Sequence, residues 1–186
     1  LGLITNTREA NLLLPGASVY LETAAGHARS LAYTAVAVER DGRPVILHTH
    51  RANAIARFLI EEGRIPGLER MKLIRGEVPL AKSRFDFLLR RRKRDVFLEV
   101  KSCTLFGKRV AMFPDAVTTR GQKHIQELVA LAAGGHRAVL FFLVQRTDAD
   151  TFTPAADIDP EYAEKLMKAT LKGVEIIVRD VVFNLD

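Results

Sequence analysis

A chain of 186 residues that is 48% hydrophobic, with a mean hydropathy near zero, has enough apolar material for one real core or two small ones. No apolar run reaches membrane-spanning length, no basic-then-apolar leader opens the chain, and the single cysteine, Cys103, excludes an intrachain disulfide, so a soluble cytoplasmic protein is expected. The formal net charge of +6 is uneven: residues 51–146 hold 20 Lys and Arg against 9 Asp and Glu, and residues 147–186 hold 4 against 9, which points to a polyanionic partner for the middle of the chain.

Residues 1–50 read as short strands punctuated by turns. Pro15-Gly16 is a turn signal, Ser18 to Glu22 and Leu31 to Glu39 have strand composition, and Asp41-Gly42 turns the chain into Pro44 to His48. A small β-barrel fits this pattern. The opening residue, Leu1, falls inside a strand-like stretch, so this unit is expected to be incomplete at its N-terminus. His48 and His50 stand two apart, but no further ligand has suitable spacing, and they are read as structural.

Ala52, Ile55, Ala56, Leu59 and Ile60 have helical spacing, and Gly63 ends that helix. Glu61 and Glu62 lie in its last turn. Lys72 to Val78 suggests a strand with Glu77 near its end. Each of these three glutamates is a possible extra acidic ligand, and a solvated helix end is the plainer reading of Glu61 and Glu62.

The next stretch, Ser83 to Ser102, is the most informative. Two apolar strands flank five consecutive basic residues, Arg90, Arg91, Arg92, Lys93 and Arg94. The first strand carries Asp86; the second carries Glu99 and Lys101, two apart and therefore on one face. If the strands pair, Asp86 sits beside Glu99. Neighbouring carboxylates repel unless a cation lies between them, and oxygen ligands suit Mg²⁺ or Mn²⁺. Asp86 and Glu99 would then be the metal ligands, helped by the Val100 carbonyl. Lys101 would position a water for attack on a phosphodiester. On spacing alone, Glu-x-Lys is a common pattern on a solvated strand; the apolar surroundings favour the site. The basic run reads equally as a solvated hairpin tip and as a phosphate contact.

Leu105 to Phe113 is expected to be one strand, with Cys103 a structural thiol beside it. A helix follows from about Gln122 to Ala133. Arg120, Lys123 and His124 crowd its start, where cations oppose the helix dipole unless an anion is bound, so all three are candidate phosphate ligands. Arg137 to Val144 should be a buried strand ending at Gln145-Arg146, which are second-rank candidates. Thr147 to Asp159 reads as a loop, Pro160 to Leu171 as a helix and Val174 to Phe183 as the last strand.

Ser83-Arg-Phe-Asp-Phe-Leu-Leu89, Glu99-Val-Lys-Ser102, Phe113-Pro-Asp-Ala-Val-Thr-Thr-Arg-Gly-Gln-Lys-His124, Gly135-His-Arg-Ala-Val-Leu140, Val144-Gln-Arg-Thr-Asp-Ala149 and Asp159-Pro-Glu-Tyr-Ala163 closely resemble the sugar fermentation stimulation protein (SfsA) family. The resemblance covers most of the chain from the Pro15-Gly16 turn onward. It departs near the start, where Asn6-Thr7 runs into Arg8-Glu9 without the family's glycine. The resemblance implies an α+β protein. A partial OB-fold-like β-barrel over residues 1–50 would precede a PD-(D/E)xK nuclease-like domain, a mixed sheet with flanking helices, over residues 51–186. It also implies DNA as the partner. The expected activity is Mg²⁺-dependent phosphodiester hydrolysis. The alternative is a DNA-binding regulator of sugar (maltose) metabolism genes that keeps the fold and does not cut.

Overall fold

The computed structural model describes residues 15–23, 32–40, 42–47, 51–80 and 83–182. His48, His50, the Asn6-Thr7 stretch, Asp41 and Phe183 lie outside the described residues.

Near the N-terminus, β1 (Val19–Thr23), β2 (Tyr33–Arg40) and β3 (Arg43–Ile46) form an antiparallel sheet in that order. Val38, Val45 and Leu47 make its small core, which packs against Phe106 of the larger unit. Among the described residues the three strands form an open meander and not a closed barrel.

The larger unit follows the order its sequence periodicities suggest: α1 (Arg51–Glu61), β4 (Lys72–Leu80), β5 (Ser83–Arg91), β6 (Arg94–Cys103), β7 (Leu105–Gly107), β8 (Val110–Phe113), α2 (Thr119–Ala133), β9 (Arg137–Val144), β10 (Thr151–Pro154), α3 (Pro160–Leu171) and β11 (Val174–Asp180). Five strands form one mixed sheet, β11-β9-β6-β5-β4. β9 runs parallel to β6 and β11, and β5 runs antiparallel to β4 and β6. Two expectations change. The strand over Leu105–Phe113 is the hairpin β7–β8, turned at Lys108 and Arg109, both at positive φ. The acidic loop after β9 contains β10, which pairs in parallel with β8.

The sheet separates two apolar layers. On one face Ala52, Ala56 and Ile60 of α1 pack on Phe87, Leu89, Val96, Leu98 and Val100. On the other, Ile125, Leu128 and Leu131 of α2 and Tyr162, Leu166 and Ala169 of α3 pack on Phe97, Leu140 and Phe142. The apolar stripes of three amphipathic helices thus close both faces of a sheet whose central strands are apolar on both sides.

One irregularity positions the site. Phe87 and Leu89 face α1, as does their cross-strand neighbour Leu98. Phe85 packs instead in the α2 layer, and so does its partner Val78 on β4. Residues two apart on a regular strand share a face, so side-chain alternation reverses between Phe87 and Phe85, at Asp86. Directly across, between the paired residues Gly76 and Val78, Glu77 has φ of 51°. That left-handed conformation is strained for a non-glycine residue and absorbs the matching reversal on β4.

Candidate functional site

The β5–β6 ladder is hydrogen-bonded from Arg91↔Arg94 to Phe87↔Leu98 and stops there. The next pair would be Asp86 and Glu99. Beyond it the strands part, while β6 continues paired to β9 through Cys103. The backbone N–H of Val100 would be orphaned on the opened edge, and an unpaired N–H away from water is costly. Asp86 caps it: its Oδ2 accepts from Val100 N at 2.7 Å. Its Oδ1 accepts from Asn53 Nδ2 of α1, also at 2.7 Å. One carboxylate therefore ties α1, β5 and β6 together at the point where the strands separate. The N–H and C=O of a strand residue point to the same edge, so the Val100 carbonyl faces this opening as well.

Glu99 belongs to the other face of β6. It is 3% exposed. Its Oε1 accepts from Lys101 Nζ at 2.5 Å and from Nδ1 of His124 on α2. Its Oε2 is buried with no hydrogen-bond partner. The two carboxyls differ in electrostatics. Burial first, then the negative charge of Glu99, push the Asp86 carboxyl above its usual range, and its bonds to Val100 and Asn53 offset only part of this. Burial also pushes Glu99 up, but the His124 hydrogen bond and the Lys101 ammonium outweigh it and hold Glu99 below the usual carboxylate range.

The expected pairing of Asp86 with Glu99 thus holds as a neighbourhood with a change of geometry: Asp86 reaches toward the α1 side and Glu99 toward the α2 side. Lys101 shares the Glu99 face, as strand alternation requires, and its side chain is only 13% exposed. Among the described residues no group of three or more His, Cys, Asp or Glu side chains gathers as a metal cage. Two carboxylates and a carbonyl nevertheless fit a small divalent cation that retains several waters, as Mg²⁺ does. The raised Asp86 carboxyl and the partnerless Glu99 Oε2 are the features such an ion would relieve.

Other candidates lie elsewhere. Glu61 is about 12 Å along α1 from Asn53, at 1.5 Å per residue, and it pairs with Arg57 at 3.6 Å on the exposed side. Glu77 lies opposite Asp86 but turns outward to Arg84, 3.3 Å away. The basic run occupies the far end of the β5–β6 hairpin, roughly 17 Å from the carboxylates over five residues of strand. There Arg90 pairs with Asp95 at 2.5 Å, and Arg91, Arg92, Lys93 and Arg94 are exposed at the turn. Arg120 and Lys123 are exposed on the first turns of α2, with Lys123 3.7 Å from Glu127. His124 needs correction. The sequence places it on phosphate, but its ring is 3% exposed and turned inward onto Glu99. Gln145 is buried and donates to Ser102 Oγ at 3.0 Å, and Arg146 pairs with Asp148 across 2.5 Å, over the Phe106 ring. Cys103 is buried and its thiol is pushed up to about 12 by burial, so it carries no nucleophile at neutral pH.

Sequence reasoning missed Asn53 and the inward role of His124. Asn53 sits on the polar side of an apolar stripe and carries no local signal of its partner. His124 precedes the buried Ile125 in a helix whose apolar stripe it adjoins, and that adjacency was the available hint.

The family model described as the sugar fermentation stimulation protein RE domain matches residues 50–186. A sugar fermentation stimulation protein homolog from Shewanella sp. (strain W3-18-1) is 44% identical over 174 residues, covering 90% of this chain and 73% of that protein. The homolog from Rhodospirillum centenum is 46% identical over 167 residues, covering 88% of this chain and 72% of its own. Among solved structures, Pyrococcus furiosus SfsA in complex with Ca²⁺ superposes with a TM-score of 0.88 at 32% identity, over 96% of this chain and 76% of that one.

Proposed function

The chain belongs to the sugar fermentation stimulation protein family, and from that premise we propose that it binds DNA and hydrolyses phosphodiester bonds with Mg²⁺ or Mn²⁺. The observation that carries this reading is the opening between β5 and β6. Asp86 and Glu99 stand on either side of it, Lys101 lies against Glu99, and one buried Glu99 oxygen lacks a partner. The Ca²⁺ held by the Pyrococcus furiosus relative supports a divalent cation at home in this family. A divalent ion here would lower the pKa of a bound water and offset charge on the reacting phosphate. The chain's own residues do the rest. Asp86 and Glu99 would hold the ion, with the Val100 carbonyl on the same edge. The Lys101 ammonium, held against Glu99, would orient the water and oppose negative charge in the transition state. Arg120 and Lys123, on the N-terminal turns of α2, offer cations and a helix terminus to neighbouring phosphates. Residues 51–146, with 20 basic against 9 acidic residues, supply the sequence-independent attraction.

A second reading has its own observation. Glu99 is already neutralised by Lys101 and hydrogen-bonded by His124, so the site is tolerable without an ion, as suits a DNA-binding regulator that does not cut. Supercoiled plasmid incubated with Mg²⁺ or Mn²⁺ separates the two. Nicking that needs metal, stops in EDTA and is lost in Asp86→Ala and Lys101→Ala is the expected result. Salt-sensitive DNA retention without nicking, unchanged in both variants, leaves the binding protein.

A further inference from the structure

Asp86 and Glu99 are each held by one polar side chain from a different helix, on opposite faces of the sheet. Asn53 of α1 donates to Asp86 Oδ1 at 2.7 Å, and Nδ1 of His124 on α2 meets Glu99 Oε1. Resting on the reading above, we infer that Asn53 and His124 are the positioning residues of the cation site, one for each carboxylate.

The geometry of both contacts leads to this assignment. A carboxylate where two strands part has several rotamers, because no cross-strand neighbour fixes it on that side. Asp86 is fixed because both of its oxygens are used, Oδ2 by Val100 N and Oδ1 by Asn53. Each oxygen keeps a second lone pair free to accept. Glu99 is fixed because His124 and Lys101 converge on the same oxygen, which leaves Oε2 bare inside the protein. An ionised carboxylate only accepts, so His124 Nδ1 carries the proton in this contact, and Nε2 is the nitrogen left without it in the neutral ring. The Phe85 ring packs 5.9 Å from the His124 ring and holds it in place. Phe85 can do so only because alternation reverses at Asp86. The same irregularity that turns Asp86 toward Asn53 therefore seats the aromatic that fixes His124. Neither residue touches the substrate in this assignment; each acts through a carboxylate.

The test is Mn²⁺ titration of the purified protein without nucleic acid, by calorimetry, beside thermal melts in EDTA. His124→Leu keeps the volume and loses the donor, whereas His124→Asn places an amide N–H near the former Nδ1. Asn53 is exposed, so Asn53→Ala is expected to fold whatever happens to the buried histidine. Partners of ligating groups are commonly worth about 10- to 100-fold in metal affinity. We expect Asn53→Ala and His124→Leu to weaken Mn²⁺ by about that factor and His124→Asn to stay within roughly threefold of wild type. A merely structural histidine would lower the melting temperature and leave the affinity of the folded protein unchanged. Wild-type affinity in both Asn53→Ala and His124→Leu, with Asp86→Ala and Glu99→Ala abolishing binding, overturns this assignment and spares the metal site. Absence of Mn²⁺ binding by the wild type overturns the metal site itself, and the assignment with it.

Discussion

At the residue scale the two carboxylates are not interchangeable. Glu99 is held below its ordinary range because His124 and Lys101 favour its charge; Asp86 is held above because burial and Glu99 oppose its charge. Charge on Glu99 therefore contributes to the stability of the metal-free fold, and charge on Asp86 subtracts from it. Glu99→Gln should cost on the order of 2–3 kcal/mol in EDTA, because it leaves a nearly buried lysine without its counter-charge. Asp86→Asn should cost far less or stabilise, since the amide oxygen can still cap Val100 N. Both should lose divalent-cation binding. Urea melts in EDTA beside Mn²⁺ titrations check this, and equal destabilisation by the two variants would contradict it. The neighbourhood of Asp86, Glu99 and Lys101 was legible in the sequence because strand alternation and apolar flanks are local signals. Asn53 was not, because its contact spans 33 positions. The orientation of His124 was not, because periodicity says which positions are buried and not which buried side chain meets a charge.

At the element scale, the N-termini of α2 and α3 are joined through one side chain. Asp159 caps α3 by accepting from Tyr162 N at 2.9 Å; it also accepts from Thr118 N at 2.9 Å and from Gln122 Nε2 at 3.0 Å. Thr118 is itself the cap of α2, its Oγ1 accepting from Gly121 N. Losing these bonds moves the start of the helix that carries Arg120, Lys123 and His124. Asp159→Ala should cost about 2–4 kcal/mol, more than the roughly 1 kcal/mol of an ordinary cap, because buried donors on two helices are orphaned. Burial pushes the Asp159 carboxyl up, but its hydrogen bonds outweigh that and hold it below the ordinary value near 4. A depressed folded pKa contributes stability above the unfolded value and loses it as pH falls through the folded one. The gap in melting temperature between wild type and Asp159→Asn should be full at pH 7 and shrink as pH falls below about 4; a gap independent of pH would refute the role of its charge. Gly121 adds a steric condition at the same junction. A Cβ there would meet Thr118 Cγ2 at 2.8 Å and Tyr162 Cε2 at 3.1 Å. Gly121→Ala should therefore destabilise by about 1–3 kcal/mol, overriding the roughly 1 kcal/mol of helix propensity that alanine offers, and thermal melts decide the sign. The sequence marked these helices well. Pro160–Leu171 is the predicted span and α2 begins only three residues early, because caps and apolar stripes are local. It marked the β7–β8 turn poorly, since Lys108 and Arg109 adopt the left-handed conformations usually signalled by Gly or Asn. The reversal at Asp86 was invisible, because Phe85-Asp-Phe87 reads as perfect alternation and only the two layers reveal otherwise.

At the scale of the whole molecule, the basic run and the two carboxylates are separated. The sequence placed the basic run between the two site strands and made it look adjacent to the carboxylates. The hairpin carries it the other way, to a turn roughly 17 Å from them along five strand residues. That distance exceeds a Debye length of about 8 Å at physiological salt, so the turn has little electrostatic influence on the two carboxylates. It still lies well within the footprint of a bound duplex, whose phosphates recur every few ångströms along the helix. The turn should thus serve binding and leave the chemistry alone. Replacing Arg91, Arg92, Lys93 and Arg94 together by glutamine should weaken DNA binding and flatten its dependence on log salt, by about 0.9 for each phosphate that is no longer neutralised. Mn²⁺ affinity and the nicking rate at saturating DNA should not change. Arg120→Gln, one helical turn before His124 on α2, should do the reverse: a small change in salt slope, and a lower nicking rate once the DNA is saturating. Filter binding across a salt series, paired with plasmid nicking at saturation, measures both quantities. If the turn variant slows nicking at saturation while Arg120→Gln does not, the reacting phosphate lies toward the hairpin tip, and the opening at Asp86 and Glu99 is not where the bond is cut.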